Sequence, residues 1–414
     1  MYQGVIGIIS FLLLAWILSE HRSRVAWKTV LTGLGLQFLV ALVLVKAPVF
    51  REFFVQLNRV ILSLEESTTA GTSFVFGYLG GGELPFSEKF PGASFVLAFQ
   101  ALPLVLVVSA LSSLLFHWGV LPRVVRGFSW ALQRTLGIGG TEGVGVSANI
   151  FVGMVESPLL IRPYLRDMTR SEIFSIMTCG MATIAGTVMV LYAGILNEKI
   201  PGIMGHILTA SIISAPAAIV IAKLMVPETK TPTLGRLVHP EKTFGAMDAV
   251  TKGTVQGIQL LINIVGMIVV LVALVHLANL MLGIIPEVDG RALTLQRILG
   301  YVMAPVMWLV GIPWSEAGLA GSLMGTKTVL NEFLAYLELA RVDTGALSER
   351  STLILTYALC GFANPGSLGI MIGGLGAMAP ERRDEIVALG FRSILAGTIA
   401  TCMTGAVIGI ILAF

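Results

Sequence analysis

Eight runs of mostly apolar residues set the terms for this chain: about 4–19, 29–48, 93–117, 172–197, 203–226, 254–284, 352–378 and 387–413. Each is a candidate to cross a hydrocarbon layer about 30 Å thick. Inside lipid, backbone N–H and C=O groups find no water, so a crossing segment must satisfy its own hydrogen bonds. Runs of this kind do so as helices. The balance of residue types agrees: of 414 residues, 55% are hydrophobic and only 12% charged, with a mean hydropathy of +0.87. A soluble chain of this size carries about 25% charged residues, so the apolar surplus must face lipid. The fold class is an all-α polytopic membrane protein with eight transmembrane helices. The first run, Gly4 to Ser19, lacks a basic leader and an A-x-A cleavage site and reads as a retained helix.

Four further stretches are apolar yet interrupted: about 121–138, 142–166, 292–311 and 316–340. The first carries Arg123, Arg126 and Arg134 and the third Arg291 and Arg297, which suits helices lying along the membrane interface. The second and fourth are broken by Gly and polar residues, and each holds one glutamate, Glu156 or Glu332. Broken backbone at membrane depth must be covered by protein or line a cavity, so these read as re-entrant helical hairpins. The order of interfacial helix, hairpin, span and span occurs twice, over 121–226 and 292–414. Residues 1–120 then form N-terminal scaffold helices, and 227–291 a cytoplasmic linker with one more scaffold helix. An odd number of spans between the repeats inverts one against the other, a transporter design that places a solute site at the midplane. With the N terminus outside, Arg22, Arg24, Lys28, the arginines at 123, 126, 134, 162, 166 and 170, and Arg382, Arg383 and Arg392 all fall inside. That is the bias expected of cytoplasmic loops.

The two glutamates are the first candidates for chemistry. A carboxylate in a bilayer costs roughly 2.5–3.5 kcal/mol on insertion scales and seldom persists without a task. Ser157 and Pro158 resemble a helix start, with Ser as N-cap and Pro in the first turn, which places Glu156 at a hairpin tip. Asn149 and the Val152 carbonyl precede it, and such oxygens suit a hard monovalent cation. Asn149 as a plain helix cap is the alternative. In TIAGT (183–187), Thr183 and Gly186 read either as an unwound turn or as close helix packing. In GFANPGS (361–367), Pro365 removes a backbone donor and predicts a break. Asn364 and Ser367 flank that break with polar groups, and Phe362 offers an apolar face. Glu332 reads as an acceptor for paired hydroxyls of a sugar, or as an ion-pair partner of Lys327, although that spacing is poor for contact.

These motifs resemble the concentrative nucleoside transporter family. The likeness runs through GTSFVFG (71–77), ALPLV (101–105), ANIFVG-x-x-E (148–156), ATIAG (182–186), IPWSEA (312–317), K-T-V-x-N-E-F (327–333) and CGFAN (360–364). It implies a sodium–nucleoside symporter, trimeric, in a bacterial inner membrane. It implies that Glu332, Asn364 and Ser367 hold the ribose with Phe362 alongside, that Met154, Val155 and Glu156 face the base, and that Val188 lines the pocket. Asn149, Val152, Thr183 and Ile184 would form the sodium site. Proton-coupled relatives tend to lack the asparagine, so Asn149 favours sodium. The usual hairpin of the family reads G-Q-T-E, whereas this chain has Gly153-Met154-Val155-Glu156, which puts base preference in question.

Other classes fit less well. The three cysteines lie in apolar runs without C-x-x-C spacing, the five histidines show no H-x-x-H, and no basic cluster suggests nucleic acid. No cofactor is implied beyond a coupling ion. An intramembrane enzyme using the two glutamates, a channel lined by them, and a proton-coupled carrier of a modified nucleoside or another polar solute remain the alternatives.

Overall fold

The computed structural model describes residues 2–88, 93–154, 156–235, 243–286 and 292–414, and among them it contains helices and no strand. Arg291 and Val155 lie outside the described residues. The chain begins with α1 (Tyr2–Ile17), α2 (Trp27–Lys46), α3 (Pro48–Phe76), α4 (Leu97–Gln100) and α5 (Leu104–His117). The first repeat follows as α6 (Val120–Leu136), α7 (Gly140–Asn149), α8 (Glu156–Leu159), α9 (Arg170–Ala182), α10 (Gly186–Leu196) and α11 (Ile203–Met225). After α12 (Ala246–Leu282) come α13 (Leu295–Val310), α14 (Trp314–Val329), α15 (Glu332–Arg341), α16 (Glu349–Leu359), α17 (Pro365–Met378) and α18 (Arg383–Ile411).

Six stretches among the described residues are long and apolar enough to cross a membrane: Trp27–Lys46, Leu97–His117, Arg170–Leu196, Ile203–Met225, Ala246–Leu282 and Pro380–Ile411. Helices α1 and α17, at 16 and 14 residues, are apolar but shorter. The expected span over 352–378 is two pieces because Pro365 starts a new helix after an extended Asn364. The expected span over 172–197 is likewise divided, at extended Thr183 and Ala185. Helices α13 and α14 meet at 118° across Gly311 and Pro313, with Gly311 at φ +111°. A left-handed residue of that kind is cheap only for glycine.

Helix α3 is an element that the apolar-run reading left unassigned. Its 29 residues mix Phe53, Val55 and Leu62 with Glu65, Glu66, Ser67, Thr68 and Thr69, so no unbroken apolar run betrays it. It packs against α2, α5, α10 and α11.

The centre of the bundle is α9 and α11, buried along nearly their whole length, with the second half of α18. Helix α12 is the opposite case: it packs on α5 through Gly253 and Gly257, and Val269, Val270, Leu274 and Leu277 stay exposed. A Cβ on Gly253 would lie 2.6 Å from the Ser109 carbonyl, so glycine sets this approach.

Helix α18 also shows the inversion. Arg170, at the start of α9, lies 3.5 Å from Glu385 in the first turn of α18. Arg350, near the start of α16, donates to the Gly409 carbonyl at the other end of α18 (2.8 Å). The two broken helices therefore start from opposite ends of the bundle.

The α9 end is closed by a cluster of charges around Glu20. Glu20 accepts from Arg170 (2.8 Å) and Arg392 (3.1 Å), and Arg392 also donates to the Leu18 carbonyl (2.7 Å). The hydrogen bond from Arg170 is the main reason the Glu20 carboxyl sits below its ordinary value of 4.5. Solvent at Arg170 limits the pair to about 1 kcal/mol. With a lowered folded pKa, this contribution is present above the unfolded value and is lost as pH falls through the folded one. Glu20→Gln should therefore lower the thermal midpoint at pH 7, and the gap to wild type should close as the pH is taken below 4.5. A gap that persisted undiminished in acid would show that charge is not its origin.

Candidate functional site

Helices α7 and α9 lie side by side and run in the same direction. The Cys179 thiol meets the Val146 carbonyl (3.7 Å), and the Thr183 hydroxyl meets the Asn149 carbonyl (3.4 Å) while donating a shorter bond to Cys179 (2.8 Å). Both helices stop at this level, so two C-terminal ends converge. Each helix end carries roughly half a negative charge on carbonyls that lack an intrahelical partner. Asn149 is fully buried there, and neither its amide oxygen nor its amide nitrogen has a hydrogen-bond partner. Leaving a buried amide unpaired costs about 1–3 kcal/mol. The Ile184 carbonyl accepts no backbone bond among the described residues. An unpaired amide, a hydroxyl and free carbonyls form an oxygen-rich set without a carboxylate, which fits a hard monovalent cation. Asn149 is the last residue of α7, and its amide bonds neither helix end.

The second arm of this hairpin corrects the expected cap. The single turn starts at Glu156, the Ser157 N–H donates to the Gly153 carbonyl (3.0 Å), and the Ser157 hydroxyl is buried without a partner. With the turn starting at Glu156, Ser157 lies inside it rather than at its cap, and Gly153, at φ +102°, turns the chain just before. A Cβ on Gly153 would lie 2.8 Å from both Glu156 Oε2 and the Ala185 Cβ, so the hairpin tip presses on the break between α9 and α10. The Gly186 N–H donates to the Phe151 carbonyl (2.9 Å), tying the start of α10 to the same tip.

Glu332 occupies the matching position, at the start of α15, but is only 4% exposed. Asn331 caps that helix by accepting from the Leu334 N–H (2.9 Å). Glu332 Oε1 accepts from the Tyr192 hydroxyl (2.6 Å), and Oε2 from the Asn364 amide (3.2 Å). Asn364 in turn caps α17 by accepting from the Ser367 N–H (2.8 Å). The carboxylate thus sits among helix N-termini, where negative charge is favoured, and each oxygen keeps room for a further donor. Lys327 is no partner of Glu332. Its fully buried ammonium donates to the Ala358 carbonyl (2.8 Å) and the Thr401 hydroxyl (2.9 Å).

Helix α10 joins the two poles. Val188, one turn from Ala185, and Tyr192, one turn further, share its face. Met154 packs beside Gly180 with Met371, and a Cβ on Gly180 would lie 2.9 Å from the Met154 Cβ. Phe362 is half-buried in the second break, where its carbonyl accepts from the Asn364 N–H (2.8 Å). Glu332, Asn364 and Ser367 are linked by direct bonds, as are Asn149 and Thr183. Val152 and Ile184 are placed by their chain neighbours only, and Val155 lies outside the described residues.

Residues 6–79 match the model of the Na+ dependent nucleoside transporter N-terminus, 206–409 that of its C-terminus, and 98–199 a nucleoside recognition (Gate) model. The chain is 37% identical to the uncharacterized transporter YutK of Bacillus subtilis, over 98% of each. It is 34% identical to the nucleoside permease NupC of Helicobacter pylori, over 98% of this chain and 97% of that one. It is 38% identical to human solute carrier family 28 member 3, of which it spans 59%. The structure of CNTnw in an inward-facing substrate-bound state matches all of this chain and 98% of that one, with a TM-score of 0.91 and 34% identity.

The chain belongs to the concentrative nucleoside transporter family.

Its relatives are named as transporters and permeases, so the enzyme reading falls. Within this concentrative nucleoside transporter, Tyr192 is the site neighbour that sequence reasoning missed. The available signal was a lone phenol in the apolar run GTVMVLYAGIL, since a buried tyrosine hydroxyl needs a partner. Removing that hydroxyl with Tyr192→Phe leaves Glu332 Oε1 short of a donor. A cycle of Tyr192→Phe and Glu332→Gln, read by stability of the purified protein, should give a coupling of about 1–3 kcal/mol. Additive effects would mean that the hydroxyl and carboxylate do not act on each other.

Proposed function

We propose that this protein is a multi-pass transporter of a bacterial inner membrane that imports nucleosides by symport with sodium. The observation that carries the ion reading is the fully buried, unpartnered Asn149 amide where α7 and α9 end. Asn149, Thr183 and the carbonyls of Val152 and Ile184 would hold sodium, which brings a positive charge to two negative helix ends. Asn149→Ala should weaken the dependence of uptake on sodium. Uptake unaffected by exchanging sodium for choline at fixed pH would remove the assignment, and uptake driven by a pH gradient would make protons the coupling ion.

Glu332, Asn364 and Ser367 would hold the ribose, with Phe362 against the sugar. Tyr192 and Asn364 already orient the carboxylate, so ribose hydroxyls meet a fixed acceptor. An amide cannot accept at both of its ends, and bonds to charged groups are worth about 1.5–3 kcal/mol. Glu332→Gln should therefore reduce nucleoside affinity by at least roughly tenfold. Nucleosides lacking a ribose hydroxyl should bind the wild type poorly for the same reason. Normal affinity in Glu332→Gln would reassign the residue to structural support.

The base would lie toward the hairpin tip, between Val188 and Met154, Val155 and Glu156. Met154 packs against Gly180 and Met371 and offers shape rather than hydrogen bonds. Met154→Gln should change the ranking of nucleosides in a binding screen while leaving sodium dependence alone. An unchanged ranking would mean that position 154 does not read the base. The uncovered apolar flank of α12 supports a homotrimer in which copies cover one another there. The arginines gathered at the α9 end support a cytoplasmic face at that end.

A further inference from the structure

The two repeats pose the same electrostatic problem. In each, a hairpin arm (α7 or α14) ends beside the first half of a broken helix (α9 or α16). In each, the carbonyl ends of both helices are buried together, and a glutamate opens the second arm just beyond. The first repeat meets this with oxygen ligands and an unpartnered asparagine. The second places a covalent cation there. Lys327 stands in the last turn of α14, is 0% exposed, and bonds the Ala358 carbonyl in the last turn of α16 and the Thr401 hydroxyl of α18.

We propose that the Lys327 ammonium is the second repeat's tethered counterpart of the coupling cation, permanently filling the place that sodium fills reversibly in the first.

Three features support this beyond the matching positions. A buried ammonium needs its N–H groups satisfied, and its two bonds lead to a helix-end carbonyl and a hydroxyl, the ligand types found at the Asn149–Thr183 pole. It forms no ion pair with Glu332, so neutralising that carboxylate by contact is not its task. It also fixes the geometry of the solute pole. Hairpin two holds the chain before the second break through Lys327 and Ala358, and the chain after it through Glu332 and Asn364. Lys327 is therefore a positioning residue for Asn364 and Ser367 rather than a solute contact. With this cation tethered, the second repeat needs no dissociable ion.

The comparison with a coupling ion rests on the sodium reading given above, and a sodium titration of wild-type binding tests that reading separately. The test of Lys327 itself uses purified full-length protein, with nucleoside binding followed by calorimetry at constant sodium and ionic strength. Lys327→Ala opens a hole the size of a small cation at two helix ends. Its affinity should fall roughly tenfold, as expected for the loss of a charge-assisted bond. Replacing choline chloride with ammonium chloride should restore most of that loss. Lys327→Met fills the hole with an apolar chain and should show the loss without the recovery. Wild-type affinity in both variants, or a loss in Lys327→Ala that ammonium does not change, would overturn the proposal. If Lys327→Ala does not fold, Thr401→Val decides. It keeps the lysine and removes one acceptor, so a several-fold loss of affinity upholds the proposal and unchanged binding overturns it. Sodium-independent binding in the wild type alongside ammonium recovery in Lys327→Ala would remove the sodium assignment and keep the role of Lys327.

Discussion

A helix interrupted inside a membrane leaves carbonyls on one side of the break and N–H groups on the other, with no water to receive them. Satisfying those ends is the condition on which the remaining structure depends. The N-terminal ends are met from within the chain: Asn331 caps α15, Asn364 caps α17, and glutamates stand in the first turns of α8 and α15. The C-terminal ends need positive charge instead. At α14 and α16 the chain supplies it as Lys327, and at α7 and α9 the buried Asn149 amide is left without a partner. Carboxylates and cations thus fall at opposite kinds of helix end for one electrostatic reason.

Burial follows from this arrangement. The first half of the broken helix in the first repeat, α9, is enclosed, and the continuous helices α11 and α18 pack against it. Helix α12, by contrast, leaves an apolar flank exposed along most of its length. Polar residues of the centre also stand within continuous helices, among them Thr209, Ser211 and Ser214 of α11 and Ser393, Thr401 and Thr404 of α18.

Much of this was legible in the sequence because its strongest signals are local. Apolar runs mark spans, and Pro365 marks a break. Two kinds of feature were hidden. Helix α3 escaped because its polar residues interrupt every window that an apolar-run reading could use. Tyr192 and the targets of Lys327 escaped because their partners lie 140 and 31 to 74 residues away, a relation that no local pattern encodes. The cap expected at Ser157 failed for a similar reason. The turn starts one residue early, at Glu156, after a left-handed Gly153, which leaves the serine inside it with an unpartnered hydroxyl.

The bond from the Gly186 N–H to the Phe151 carbonyl joins the first hairpin to the start of α10, and α10 carries Val188 and Tyr192 on one face. An occupant that orders the turn after Asn149 therefore also orders the helix whose phenol fixes Glu332. Two ligands that share one ordered element assist each other without touching. Such assistance is reciprocal: whatever factor one ligand adds to the affinity of the other, it receives in return. The backbone hydrogen bond at the hairpin tip is thus the point through which order in the turn after Asn149 reaches Tyr192 and Glu332.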